Sequence, residues 1–496
     1  MAQYILAIDQ GTSSTKTIVF DSKSNVIARA SVPLTSYYTG SFAEQVPGEI
    51  YNNVLASVSA CLKEFKENGG NETEIVTCGI SNQRETFVIW DKNGMPLYNA
   101  ILWQCKRSVD ICERLTQQGY SETIKHKTGL IIDPYFSGTK VMWLYENVSY
   151  VKAAVDAGEA YFGTVDTWLL YKLSGGKYYY TDYTNASRTM FFNLAKLSWD
   201  EELLALFNLQ NLNLPACMPS SHYFGETNFN GLLKTPVGIS AMIGDSHAAA
   251  FGEGCYHAGE AKATMGTGCS VLMNVGNTVK HSDNGMVSTV CWSTTGAVCY
   301  ALEGVIVTCS ATIEWLKNEL GLFSDSRQTE LIATSIADNS GVYLVPAFSG
   351  LGAPHWDMER KASITGLTFS TGKSHIVRAA LESIPYQIMD VISAMEADTG
   401  IQLQQLMIDG GMSNNKFVLQ FLADLLGKAV VNIGMTDVSA MGAAYLAGLE
   451  YGIFKTLDEL ALLNTARNIF SPSVNEKIQV FYSEWKKIIT DNRQQH

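Results

Sequence analysis

Two short glycine–threonine turns, far apart in the chain, constrain the fold more than any other feature of the sequence. Asp9 to Ser13 and Met265 to Cys269 each lie between two apolar, strand-like segments, and each opens a stretch in which strands and helices alternate. The distance between the turns is too long for a solenoid repeat. We therefore expect two similar α/β halves with a cleft between them, where most ligand sites lie.

The length of the chain also requires more than one domain. At 496 residues it exceeds the size at which a single hydrophobic core stops growing. A helix ending at Gly252 closes the first half and Gly259 opens the next strand, which places the boundary near residue 252. We expect an N-terminal lobe over 1–252 and a C-terminal lobe over 253–496.

Apolar periodicity predicts the elements that frame these turns. Residues 4–21 and 28–34 read as a β-meander, 51–66 as a helix and 75–80 as a buried strand. In the second half the pattern predicts strands at 262–265, 270–274, 342–345 and 405–409, and helices at 311–320, 375–395, 415–426 and 440–449. The alternation of the two kinds of element favours an α/β architecture.

Composition excludes several classes of function. The formal net charge of -13 and the absence of a basic patch argue against a nucleic-acid or anionic-membrane partner. The sequence contains no apolar run of the ~18 to 20 residues that a spanning helix needs, and no export signal precedes Tyr4. The ten cysteines form no CxxC pair, which favours reduced thiols in a cytoplasmic protein. We expect a homodimer or homotetramer.

The first turn has the residues that phosphoryl transfer needs. Gly11 with the hydroxyls of Thr12, Ser13 and Ser14 can present donors to phosphate oxygens, and the Asp9 carboxylate at the strand end can hold a hydrated metal ion. Magnesium is the natural candidate. A simple hairpin in which Asp9 makes an Asx turn is an equally good interpretation of this string alone.

Two further glycine elements fit the same chemistry. In Gly266-Thr267-Gly268 the glycines would let the chain approach a phosphate closely, because a Cβ there would collide or block a positive φ. The segment Asp409 to Asn415 follows a strand and precedes a helix, so its amides can face an anion. Its alternative is an ordinary loop capped by Ser413 or Asn414. Three such turns in one chain favour the functional interpretation.

Asp245 is the candidate catalytic base. An aspartate directly before an alanine-rich helix is a good N-cap, and that structural explanation is the usual one. In a cleft the same carboxylate could take the proton from an attacking hydroxyl. His247, one turn further on, is assigned no role.

Four residues of the first half are candidates for holding a hydroxylated ligand. Arg84 beside Glu85 can contact vicinal hydroxyls as donor and acceptor, although a structural ion pair is the alternative. Trp103 and Tyr135 could present aromatic faces to a carbohydrate, although such residues more often belong to the core.

Several long motifs resemble the glycerol kinases of the FGGY carbohydrate kinase family. They are residues 9–16, 81–86, 103–105, 133–140, 164–168, 181–190 and 409–411, and the likeness continues in order through 440–448, over nearly the whole chain. The resemblance implies an actin-like ATPase fold of two ribonuclease-H-like lobes that close around ATP, magnesium and a polyol.

By position, the resemblance also implies roles for individual residues. Asp245 is similar to the general base and Asp9 to a magnesium-associated carboxylate. The residues implied for the nucleotide are Thr12, Ser13, Ser14, Gly266, Thr267, Gly268, Gly410, Gly411 and Asn414, and those implied for the polyol are Arg84, Glu85, Trp103, Tyr135 and Asp245.

The sequence departs from the family pattern at two positions of the expected polyol pocket. Ser246 stands where glycerol kinases have glutamine, and Ser270 where they have phenylalanine. Loss of an aromatic wall removes apolar contact of ~1 to 3 kcal/mol and adds a hydroxyl that needs a partner. We therefore expect a four- or five-carbon alditol or related sugar as the acceptor.

Two other departures concern the nucleotide and regulation. Glu314 replaces a residue that is usually glutamine near the nucleotide, with no clear consequence. The segment 228–238 lacks the arginine with which some bacterial glycerol kinases bind fructose bisphosphate. The alternatives to an alditol kinase are glycerol kinase proper and a non-kinase ATPase on the actin fold, which the phosphate turns alone do not exclude.

Overall fold

Two twisted β-sheets, each covered by helices, form the two lobes of the molecule. The structure is a computed structural model that describes residues 3–463 and 468–491. The predicted α/β class with two lobes and a cleft is confirmed.

The sheet of the N-terminal lobe has six strands. In spatial order they are Ser221–Thr227, Val237–Gly244, Ile75–Asn82, Tyr4–Gln10, Ser14–Asp21 and Val26–Pro33. The strand Tyr4–Gln10 pairs antiparallel with Ser14–Asp21 and parallel with Ile75–Asn82. Because parallel strands end at the same edge of a sheet, Asp9 lies beside Ser81, its register partner.

A second, five-stranded sheet and several helices complete this half of the chain. Its strands are Tyr37–Thr39, Phe42–Gln45, Ala100–Ile101, Phe87–Asp91 and Ala160–Thr164. The helices are Pro47–Glu67, Val109–Gln117, Ser121–Thr128, Ser137–Asn147, Ser149–Asp156, Val165–Leu173, Tyr183–Ala186, Glu201–Leu206 and Asp245–Glu253, with a 3₁₀ turn at Glu72–Glu74. Short strand pairs join Tyr180–Asp182 to Ala216–Met218 and Phe192–Asn193 to Ser198–Trp199.

The C-terminal lobe repeats the arrangement around a seven-stranded sheet. Its strands are Val287–Thr294, Ala297–Ile306, Cys269–Gly276, Glu260–Met265, Gln405–Asp409, Ala429–Asn432 and Asn468–Phe470, in spatial order. The strand Glu260–Met265 pairs antiparallel with Cys269–Gly276 and parallel with Gln405–Asp409. The two glycine–threonine hairpins therefore occupy equivalent positions in their sheets, as the internal repeat predicts.

Four helices of this half match the predicted segments with small differences at their ends, namely Ser310–Asn318, Lys373–Thr399, Lys416–Leu426 and Val438–Tyr451. The helices Thr329–Thr334, Leu457–Leu463 and Glu476–Asp491 and the 3₁₀ turns Ser326–Gln328 and Gly411–Asn414 were not predicted. A two-stranded ribbon pairs Tyr343–Val345 with Ser363–Thr365. The last five residues of the predicted second lobe, 492–496, lie outside the described residues.

Two helices pack tightly between the lobes. Val438–Tyr451, from the second half of the sequence, lies against Asp245–Glu253 and against the sheet of the first half. A Cβ on Gly442 would lie 1.8 Å from the carbonyl oxygen of Ala248, so only glycine permits this approach. The contact fixes the helix that begins with Asp245 to a helix contributed by the second half.

Helices able to cross a bilayer and disulfide bonds are both absent from the part of the chain that the structure describes. No helix among residues 3–463 and 468–491 is both long and apolar enough to cross a bilayer. All ten cysteines are unpaired, and eight of them are buried.

Candidate active site

A cleft of about 830 Å³ lies between the two sheets and collects side chains from both lobes. Its lining includes eleven of the residues singled out from the sequence, namely Thr12, Arg84, Glu85, Trp103, Tyr135, Asp245, Ser246, Gly266, Thr267, Gly268 and Ser270. Asp9, Ser13, Ser14, Gly410, Gly411 and Asn414 are not among its lining residues. The cleft thus joins the two phosphate turns to the predicted polyol pocket, and the roles of these residues remain predictions.

In the first turn, only one of the three hydroxyl residues faces the cleft. The Gly11 amide donates to the carbonyl of Ser14 at 3.0 Å, which closes the turn, and Thr12 lies at its tip. Trp103 Nε1 donates to Thr12 Oγ1 at 3.0 Å, so the Trp103 ring and the turn hold each other in place. Ser13 is exposed and its carbonyl accepts from Leu34 N, away from the cleft lining.

Asp9 ends the strand that leads into this turn. Its Oδ1 accepts a hydrogen bond of 3.2 Å from Ser81 Oγ. Burial raises the pKa of Asp9 to about 6, and the charge of Asp245 adds to the shift while Lys16 opposes it. Burial and a neighbouring carboxylate both disfavour the charged form of Asp9, and a bound cation would relieve this. The position is therefore suited to binding a cation.

Asp245 does not serve as the N-cap that its sequence position allows. Gly244 is the N-cap residue and Asp245 is the first residue of the helix, without a side-chain capping bond. Its Oδ1 accepts from the amide of Ser246 at 2.6 Å and lies 3.3 Å from Arg84 Nε. The side chain is 37% exposed and lines the cleft, so the carboxylate is open to a ligand.

Arg84 and Glu85 do not form the ion pair that is the structural alternative to a ligand-binding role. Arg84 Nη1 and Nη2 donate to the two carboxylate oxygens of Glu303 at 3.1 and 2.9 Å. Glu85 instead accepts from Nε of Arg188, whose Nη1 lies 2.8 Å from Glu303 Oε2. The four side chains form a buried network of two carboxylates and two guanidiniums beside the cleft.

Electrostatics in this network are set by burial and by the two guanidiniums. Burial alone would raise the pKa of Glu303, but Arg188 and Arg84 outweigh it and hold that pKa well below its usual range. Burial also raises the pKa of Glu85, and the same two cations only partly offset this. Glu303 is therefore the firmly ionised partner, and Glu85 is the acid more easily protonated.

Trp103 and Tyr135, the two aromatic residues predicted to face a carbohydrate, lie next to each other at the cleft. The rings of Trp103 and Tyr135 meet edge to face with centroids 5.6 Å apart, and both are half-buried at the cleft. The buried ammonium of Lys140 donates to the carbonyl of Tyr135 at 2.8 Å, which fixes the segment that carries the ring. Burial lowers the pKa of Lys140 to about 8.

Backbone packing accounts for Gly268 and backbone conformation for Gly410, and the approach of these elements to a phosphate stays a prediction. At Gly268 a Cβ would lie 2.7 Å from the carbonyl oxygen of Ile306, so this glycine is required by backbone packing. Gly266 has no positive φ, and a Cβ there would make only an ordinary contact, 3.7 Å from the carbonyl oxygen of Gly268. Gly410 has φ +88° and approaches the backbone of Met265. Asn415, rather than Ser413 or Asn414, caps the following helix.

The two serines that depart from the family pattern differ in their contacts. Ser270 Oγ already donates to Glu303 Oε1 at 2.9 Å, so the expectation that this hydroxyl needs a ligand partner is wrong. Ser246 Oγ is buried with no hydrogen-bond partner among the described residues. Glu314 is exposed, outside the cleft lining, and contacts Lys317 and Ser326.

Sequence reasoning did not identify three of the charged residues that shape this site. Glu303 lies within the apolar strand Ala297–Ile306, and an acid in such a strand is the only local signal. Arg188 follows a short helix with no distinctive spacing, and Lys262 lies in the strand before the second turn. All three are almost fully buried, and only the tertiary fold brings them together.

Comparisons with known proteins agree over almost the whole chain. Residues 4–252 match the N-terminal domain of the FGGY family of carbohydrate kinases, and residues 261–451 match its C-terminal domain. The chain is 45% identical to a glycerol kinase of Carboxydothermus hydrogenoformans, over 99% of this chain and 98% of the relative. It is also 45% identical to glycerol kinase 2 of Thermotoga maritima, over 98% of each.

Among solved structures, a glycerol kinase of Plasmodium falciparum with ADP is similar at 35% identity and a TM-score of 0.93, with 98% of both chains covered. A xylulose kinase of Lactobacillus acidophilus, at 21% identity and a TM-score of 0.88, shares the fold over 98% of this chain and 97% of its own.

Proposed function

The chain belongs to the FGGY family of carbohydrate kinases, and from that membership we propose that it transfers the γ-phosphoryl group of ATP to a terminal hydroxyl of glycerol or a closely related polyol. One observation carries the proposal. The Asp245 carboxylate opens into the same cleft as the two glycine–threonine turns and the pair Trp103 and Tyr135. This arrangement brings a base, a phosphate cradle and a polyol pocket together.

In this mechanism Asp245 accepts the proton of the attacking hydroxyl. The hydroxyl oxygen forms a bond to the γ-phosphorus, the bond from that phosphorus to the bridging oxygen breaks, and ADP leaves with the electron pair. The 3.3 Å contact with Arg84 keeps the Asp245 carboxylate oriented. Closure of the lobes would exclude water, which would otherwise consume ATP.

Asp9 is not among the residues that line the cleft, but it interacts with the cleft carboxylate Asp245 and would be the main ligand of a hydrated magnesium ion. Burial and the charge of Asp245 raise the pKa of Asp9 to about 6, which a bound cation would offset. Within the described residues, no group of three or more His, Cys, Asp or Glu side chains forms a complete metal site. Mg²⁺ is usually bound by one or two carboxylates with phosphates and waters, so this set is sufficient. When bound, the ion would neutralise charge on the phosphates.

Two observations bear on the identity of the acceptor. The relatives named glycerol kinase favour glycerol and give no support to the expectation of a four- or five-carbon alditol. One observation still favours a longer acceptor as a second candidate, because the buried Ser246 Oγ has no partner in the described chain. A hydroxyl that glycerol lacks could supply one.

ADP release measured with ATP and Mg²⁺ over a panel of polyols tests the proposal. The panel contains glycerol, erythritol, threitol, xylitol, arabitol and ribulose, with a sample lacking any polyol as control. We expect turnover that depends on the polyol, with the highest kcat/KM for glycerol. ADP release without polyol, unchanged by any of them, would instead indicate a non-kinase ATPase and would refute the proposal. A clear preference for a longer alditol would support the second candidate.

A further inference from the structure

A buried lysine at the floor of the cleft has no role in the mechanism above. Lys262 is 1% exposed and lines the cleft, and its Nζ donates to Thr264 Oγ1 at 2.6 Å. It forms no salt bridge with any carboxylate of the described residues. An ammonium group removed from water with only a neutral hydroxyl as partner is costly, and such a group is expected to serve a ligand.

The nearest acids leave this charge largely uncompensated. Glu253 ends the helix that begins with Asp245, and neither of its buried carboxyl oxygens has a hydrogen-bond partner in the described chain. Burial holds the pKa of Glu253 well above its usual range, and the charge of Asp409 raises it further while Lys262 opposes the shift. A neutral Glu253 shapes the space around Lys262 without cancelling its charge.

Asp409 is the second acid that interacts with this group of side chains, since both it and Lys262 act on Glu253. It is the register partner of Thr264 across the parallel strand pair, and it lines the cleft. Its Oδ1 is buried and unpaired among the described residues. Lys262 therefore lies on the strand that leads to the second glycine element, next to the strand that leads to the third.

The side chains that line the cleft include more acids than cations, so a bound triphosphate needs a cationic partner there. Among the described residues that line it, Arg84 and Lys262 are the only cationic side chains, against Glu85, Asp245, Glu303 and Asp409. Arg84 is committed to Glu303 and Asp245. A triphosphate that enters this acidic cleft needs positive charge at the phosphoryl group being transferred.

The position of Lys262 along its strand suits that task. Side chains alternate across a strand, so Lys262, Thr264 and Gly266 lie on one face, with Gly266 at the start of the second turn. All three line the cleft. The flexible four-carbon stem can direct the ammonium along this face toward the turn.

We propose that Lys262 is a phosphate-binding residue of the transfer site, whose ammonium donates a hydrogen bond to an oxygen of the γ-phosphoryl group of ATP. This inference rests on ATP as the donor in the proposed function. It predicts that Lys262 distinguishes ATP from ADP, because only ATP carries the oxygen that it contacts.

Titration calorimetry of ADP and of a non-hydrolysable ATP analogue, each with Mg²⁺, tests the inference on the full chain. Lys262→Met should weaken binding of the ATP analogue about 10- to 100-fold and change ADP binding less than about threefold. It should lower kcat about 10²-fold with little change in the KM of the polyol. Lys262→Arg, which retains the charge, should recover part of the preference for the ATP analogue.

One control variant and one alternative substitution of Lys262 complete the experiment. Lys152→Met removes an exposed lysine from the helix Ser149–Asp156 and should leave both affinities unchanged. If Lys262→Met does not fold, Lys262→Gln, which keeps a donor for Thr264, is measured in the same way. Equal losses for ADP and the ATP analogue, or no loss, would overturn the role of Lys262 while leaving the proposed function intact. A wild-type protein that binds neither nucleotide would overturn both.

Discussion

Arg84 and Glu303 join the two lobes through a bidentate ion pair, with Nη1 to Oε2 at 3.1 Å and Nη2 to Oε1 at 2.9 Å. Arg84 follows the strand Ile75–Asn82 of the first sheet, and Glu303 lies in the strand Ala297–Ile306 of the second. Paired donors in this fork geometry fix direction as well as distance. The pair therefore sets where Arg84 Nε meets Asp245, and hence the orientation of the candidate base.

Glu303→Gln should destabilise the protein and weaken the polyol site together. The substitution leaves Arg84 and Arg188 buried without their shared carboxylate, and loss of one partner of a buried pair costs about 3 to 5 kcal/mol. Urea unfolding followed by circular dichroism measures this free energy. Glu314→Gln, at an exposed acid, is the matched control and should change stability by less than about 0.5 kcal/mol. Similar small effects of both changes would contradict the network's role.

Asp245→Asn should abolish phosphoryl transfer and preserve nucleotide binding. The amide keeps the size of the side chain but cannot accept the proton, and general-base catalysis typically contributes about 10²- to 10⁴-fold to the rate. Steady-state turnover with glycerol measures the loss, and calorimetry with ADP measures the binding. Turnover within about tenfold of wild type would remove Asp245 from the role of base.

Many strands and helices could be predicted from the sequence, because each depends on a residue pattern within its own segment. Apolar runs and the two hairpins predicted the strands, and the helix over 375–395 was recovered within Lys373–Thr399. What could not be predicted is the docking of Val438–Tyr451 on the sheet of the first half. That contact joins segments far apart in the sequence, such as those that hold Gly79 and Ala443, and no periodic pattern within either segment specifies it.

Fewer residues of the candidate site could be predicted, because their partners lie far away in the sequence. The turns and Asp245 stand out because glycine, hydroxyl and acidic residues at strand ends are rare combinations. Glu303 and Lys262 each lie singly among apolar neighbours, and Arg188 lies between Ser187 and Thr189. In none of these places does the local sequence indicate which residue the charge pairs with. The family resemblance supplied Arg84 and Glu85 but not their actual partners, and it could not show that Ser270 is already hydrogen-bonded.

Ser246→Ala should separate the two candidate acceptors. If a longer alditol binds, its additional hydroxyl pairs with Ser246 Oγ, and loss of that bond should raise its KM about 5- to 10-fold, the equivalent of about 1 kcal/mol. Glycerol, which needs no such partner, should keep its KM. Ser270→Ala is the matched control, because that hydroxyl is bound to Glu303 and should affect both acceptors alike. An unchanged KM for every polyol in Ser246→Ala would eliminate the longer acceptor as the partner of this hydroxyl.

Asp9→Asn should make the protein more stable and less active at neutral pH. Burial raises the pKa of Asp9 from 3.8 to about 6, so the folded protein binds a proton here at a higher pH than the unfolded chain does. The ionised carboxylate therefore reduces stability above pH 6, and this cost disappears as the pH falls toward 4. Thermal unfolding should show a higher Tm for Asp9→Asn than for wild type at pH 7 and little difference near pH 4.5, while turnover at pH 7 falls because the amide cannot hold Mg²⁺.

In the wild type, activity should decline as the pH falls through about 6, and a roughly 20-fold increase in Mg²⁺ should move this decline to lower pH. A decline that ignores Mg²⁺, or a lower Tm for Asp9→Asn at pH 7, would show that Asp9 is not the strained metal-binding acid inferred from its burial.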